Sequence, residues 1–93
     1  MSDTLLWWPD ADGYMQRLEG DPSLDRALAA VRRTLGRLET TPFDLRLRTR
    51  QFVTDQLRHI HATPTGHGDW YVFWQDGLDP ETVEIVQIAE LTI

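Results

Sequence analysis

Residues 24–50 read LDRALAAVRRTLGRLETTPFDLRLRTR, and within them the hydrophobic period changes from that of a helix to that of a strand. Leu24, Leu28, Val31, Leu35 and Leu38 recur at steps of four, three, four and three. That spacing puts five apolar side chains on one stripe of a helix over 24–39. Arg26, Arg33 and Arg37 fall off the stripe and are expected in solvent. Thr40-Thr41-Pro42 ends the helix. Beyond it Leu45, Leu47 and Thr49 alternate with Arg46, Arg48 and Arg50, the period of two that a half-buried strand requires.

The flanks extend both patterns. Upstream, Thr4–Trp8 is rich in β-prone residues and is stopped by Pro9, so it predicts a first strand. Alternation sends one of Trp7 and Trp8 to the core and leaves the other exposed, where it would mark an interface. Asp10 stands where a helix cap would, followed by Ala11, Tyr14, Met15 and Leu18 at helical spacing, and Gly20 closes this short helix. Asp21-Pro22-Ser23 is a restart signal for the long helix. Downstream, residues 57–63 alternate, with Ile60 and Ala62 on one face and His59 and His61 on the other. Residues 64–69 have the composition of a turn. Trp70–Trp74 is a continuous apolar run, as in a central strand covered on both sides, and core packing is its favoured use over a base-stacking platform. Residues 75–81 predict a loop and residues 82–91 a last strand. The predicted fold is α+β, a single domain over 1–93 in the order β-α-α-β-β-β-β, with a helical hairpin packed on a mainly antiparallel sheet.

Charge is segregated along the chain. Its net value is −6, which alone argues against nucleic acid, because phosphate contacts need a basic surface. Residues 1–25 carry −5 and residues 62–93 carry −6, whereas residues 26–61 hold eight arginines against three acids, for +5. All nine basic residues are arginine, whose planar fork suits carboxylate or phosphate recognition. There is no cysteine, which excludes disulfides and thiolate metal sites and fits a reducing compartment. The start of the chain has no signal-peptide pattern, and no apolar run approaches the ~20 residues of a membrane span. A soluble, cytoplasmic protein without a membrane partner is expected.

The opening strand with Pro9-Asp10-Ala11, the helix over 24–39, the stretch Leu45-Arg46-Leu47-Arg48-Thr49-Arg50-Gln51-Phe52, then Ile60-His61-Ala62-Thr63-Pro64 and Asp69-Trp70-Tyr71-Val72-Phe73-Trp74 together resemble the RelE/ParE superfamily of type II toxins. The resemblance covers nearly the whole chain and rests on element order and strand character. It implies one strand, a helical hairpin and an antiparallel sheet, and an antitoxin partner. It further implies a target that is either mRNA at the ribosome, cut by an endoribonuclease, or DNA gyrase. In RelE-like cleavage basic sheet residues hold the scissile phosphate while Tyr, His or Glu moves protons. The positions matching by strand are Arg46, Arg48, Arg50 and Arg58, with His59, His61 and Tyr71 as the nearest acid–base groups. No cofactor or metal is implied.

Each of these residues also has a plainer use. Three arginines spaced by about 6.6 Å along one strand face discourage edge-to-edge aggregation as well as they bind phosphates. An acidic antitoxin segment would satisfy them equally. His59 and His61 share a face at i, i+2, as zinc ligands can, yet ordinary surface histidines do the same. A protein keeping this fold without the chemistry would be an interaction module, as a homodimer or a hetero-complex.

Overall fold

In a computed structural model, residues 4–41, 44, 49–53, 59–77 and 82–90 are described. The order is β1 (Thr4–Trp7), α1 (Pro9–Gly20), a 3-10 turn (Pro22–Leu24), α2 (Asp25–Thr40), β2 (Arg50–Val53), β3 (His59–Pro64), β4 (Trp70–Asp76) and β5 (Thr82–Glu90). The five strands form one sheet in the order β1-β5-β4-β3-β2. Among the described residues only β1 with β5 is parallel, and the other three pairings are antiparallel. The α+β architecture and element order follow the sequence expectation.

The helices α1 and α2 begin for different reasons. The first starts two residues earlier than the acidic cap predicts: Trp8 holds the cap position with extended angles and Pro9 is the first helical residue. Proline fits there because its missing N–H would have had no partner in that turn. Asp10 and Asp12 then lie inside the first turn, where the helix dipole favours negative charge. Ahead of α2, the Asp21 carboxylate accepts bonds from the Ser23 hydroxyl (2.7 Å) and the Ser23 backbone N–H (3.0 Å). These two bonds stabilise the charged form and hold the Asp21 carboxyl below its usual range. A lowered folded-state value adds stability above the unfolded pKa of about 4, and that stability is lost as pH falls through the lower folded value. Asp21→Asn is therefore expected to melt below the wild type at neutral pH. Thermal melts of the two should converge in strong acid, and a gap that stays constant with pH would exclude the linkage.

The long helix buries the face its period dictates. Leu28, Val31, Leu35 and Leu38 are buried, with Leu24 half-buried at the stripe's start, while Arg26, Arg33 and Arg37 are exposed. They pack with Ala11, Met15 and Leu18 of α1 onto Val72 and Trp74 of β4 and Val83, Ile85 and Ile88 of β5. Each full burial of such a Leu, Val or Ile side chain stabilises by about 1.5–3 kcal/mol. Both helices therefore lie on one side of the sheet.

Strand boundaries differ from the sequence reading in two places. Gln75 and Asp76, expected in a loop, extend β4 and pair with Glu84 and Val83. Pro64, expected in a turn, is the last residue of β3, opposite Tyr71. The turn between them uses Gly66 and Gly68 at φ +85° and +55°, angles that other residues adopt at a cost. The alternation over 45–48 and Leu57-Arg58 lie outside the described residues, and the described part of the second strand begins at Arg50.

Candidate binding face of the sheet

Register decides which candidate residues can act together, because residues directly opposite in neighbouring strands share a face. Gln51 pairs with His61, His61 with Trp74 and Trp74 with Ile85. This row points toward the helices. Arg50 pairs with Ala62, Ala62 with Phe73 and Phe73 with Gln87, and this row points away from them. The neighbouring rows of the same open face hold Phe52, Ile60, Gln75 and Glu84 on one side, and Pro64, Tyr71 and Ala89 on the other. A register break in β5, where Phe73 meets Gln87 but Trp74 meets Ile85, keeps this alternation across the bulge.

The seven sequence candidates thus fall into three groups. Arg50 and Tyr71 share the open face: Arg50 is exposed and Tyr71 half-buried. Two strand spacings and one two-residue step separate their Cα atoms by roughly 12 Å, so an arginine and a tyrosine side chain can close on one phosphate-sized group between them. His59 and His61 lie on the helix-side face. His61 is 2% exposed, stacked 4.4 Å from the Trp74 ring, with Nδ1 3.1 Å from the Thr49 hydroxyl. Arg46, Arg48 and Arg58 lie outside the described residues. Among the described residues no group of three His, Cys, Asp or Glu is placed to hold a metal ion.

The aromatic run divides by alternation. Trp74 is 0% exposed and donates its Nε1–H to the Thr63 hydroxyl at 2.8 Å. Val72 joins it in the core, whereas Tyr71 and Phe73 remain half-buried on the open side. The Phe73 ring meets that of Phe52 at 6.5 Å, across β3. Apolar groups also mark both sheet edges: Leu6 (50% exposed), Trp7 (37%) and Trp8 (38%) at β1, Phe52 (48%) and Val53 (59%) at β2. Both tryptophans of the Trp7-Trp8 pair are exposed, rather than one being buried: Trp7 ends an edge strand and Trp8 lies past it.

One cluster on this face escaped the sequence reading. The Glu84 Oε1 accepts the Trp8 Nε1–H at 2.8 Å and the Gln75 Nε2–H at 3.1 Å. The signal was a single carboxylate inside the apolar run Val83–Ile88. Its partner Trp8 is 76 residues away.

No family model matches the chain, and no curated protein does. Among solved structures it is similar to a chain of the toxin–antitoxin complex RelBE2 from Mycobacterium tuberculosis, with a TM-score of 0.68 at 17% identity over 98% of this chain and 100% of that one. Among the described residues no helix is long and apolar enough to cross a membrane. At this identity the likeness is one of architecture, and it runs from end to end: the chain shares the fold of that chain of the RelBE2 complex.

Proposed function

We propose that the chain is the toxin-like member of a type II toxin–antitoxin pair, acting in the cytoplasm as an mRNA endoribonuclease through the open face of its sheet and held inactive by an antitoxin that covers that face. The observation carrying this reading is the placement of Arg50 and Tyr71 on one face, with the half-buried aromatic Phe73 beside them. Arginine can hold a phosphodiester through two parallel bonds, a tyrosine hydroxyl can move a proton, and an aromatic ring can stack a base. The apolar edge at Phe52 and Val53 suits a protein cover, and the full-length likeness to a chain of a toxin–antitoxin complex supports such a partner.

The test is direct. Purified chain added to a bacterial translation extract should cut the mRNA, seen as new 5′ ends, and the product of an adjacent antitoxin gene should stop it. Intact mRNA together with blocked DNA supercoiling would move the target to gyrase. A second reading, a non-catalytic interaction module of the same fold, is favoured by His61 being packed against Trp74 in the interior. It is the reading left if neither target is touched.

A further inference from the structure

The β1 edge combines an unguarded strand with an oriented carboxylate. Among the described residues β1 pairs only with β5, and none of them takes up the outer N–H and C=O groups of β1. Natural edges are usually blunted by lysine, proline or inward charge. Residues 4–7, Thr-Leu-Leu-Trp, have none of these, and Leu6, Trp7 and Trp8 are exposed. Leu6 stands directly opposite Glu84 on the open face. Both donors to Glu84 fall on Oε1, and among the described residues none donates to Oε2. The carboxylate is half-buried and fixed in direction, with an apolar side chain on one side and an indole on the other.

We propose that this edge is a docking site for an extended segment of a partner protein that carries an arginine: the segment adds as a strand outside β1, and its guanidinium crosses Leu6 to bond Glu84 Oε2 beside the Trp8 ring. The chemistry selects this occupant. An arginine stem covers apolar surface while its head reaches a charge. The guanidinium is attracted by a tryptophan face, and its bond to a carboxylate is charge-assisted. Strand addition supplies affinity and the side-chain site supplies specificity. Charge complementarity points the same way. The strands at this end of the sheet come from the two acidic segments, and Asp10 and Asp12 are exposed just beyond β1. A phosphate backbone or a second acidic copy would be repelled here. The site is separate from the Arg50–Tyr71 pair, and its occupancy does not depend on RNA cleavage.

The probe is a short, blocked peptide of alternating valine and threonine with one central arginine, compared with the same peptide carrying neutral citrulline. Binding is followed by the NMR signals of the Trp8 indole N–H and the β1 backbone amides. The arginine peptide should bind about tenfold more tightly, equivalent to about 1.4 kcal/mol. Glu84→Gln, which keeps the side-chain shape, should remove that preference while the melting temperature holds, and Leu6→Glu should abolish binding of both peptides. Equal affinities, a preference that survives Glu84→Gln, shifts confined to β2, or no binding would each overturn the proposal. A chain that dimerises through β1 and is dissociated by Leu6→Glu would overturn it in favour of a second copy.

Discussion

Trp74→Ala is expected to take the domain to the edge of unfolding. The side chain is fully buried, lies among Val72, Val83, Ile85 and Ile88 under α2, stacks on His61 and donates to Thr63. Truncating a buried tryptophan removes its transfer free energy and leaves a cavity, at a cost of about 3–5 kcal/mol. Chains of this size are stabilised by roughly 5–14 kcal/mol, so a large share of the margin goes. Each kcal/mol shifts the melting point of such a domain by about 4–8 °C, which places the expected fall at roughly 12–40 °C by circular dichroism. Trp74→Phe separates the two contributions: it keeps most of the volume but leaves the buried Thr63 hydroxyl without its donor, costing about 1–3 kcal/mol. An alanine variant melting within a few degrees of wild type would show that the core is not organised around this ring.

The second large effect is on activity, with the fold untouched. Arg50→Ala removes an exposed side chain and Tyr71→Phe removes a hydroxyl from a half-buried one, so neither should move the melting point by more than a few degrees. A charge-assisted bond to phosphate contributes about 1.5–3 kcal/mol, or roughly 10- to 150-fold in rate. A positioned proton donor contributes about 10²–10⁴-fold. On the proposed function the two groups act on one phosphate, so the double variant should lose less than the product of the single losses. In the same assay His61→Gln should reduce activity only as far as it lowers the folded fraction, since His61 is inside the protein on the other side of the sheet. A His61 variant that is folded and inactive would move the chemistry to that side.

The helices and the central strand were legible because each leaves its own period in the sequence. The stripe from Leu24 to Leu38 and the run from Trp70 to Trp74 are local patterns, and packing only had to satisfy them. The grouping of site residues was not legible. Whether Arg50 shares a face with His61 or with Tyr71 depends on strand register, and a slip of one residue reverses every side chain. Nothing within residues 50–62 specifies that register; it follows from which side of β4 the helices cover. The Glu84–Trp8 contact was hidden for a related reason, since it exists only because β1 runs parallel to β5 and ends beside it. The first helix cap was misplaced because an aspartate after proline reads as a cap, although Pro9 itself fits the first helical position.

Growth of a bacterial host expressing the chain without any partner tests the central claim, that the open sheet face is the working face of a toxin-like protein. The expected result is arrest on induction of the wild type, and normal growth when Arg50→Ala and Tyr71→Phe are combined at the same soluble level. Normal growth in the presence of abundant, folded wild-type chain would contradict it, as would arrest by the double variant as strong as that by the wild type.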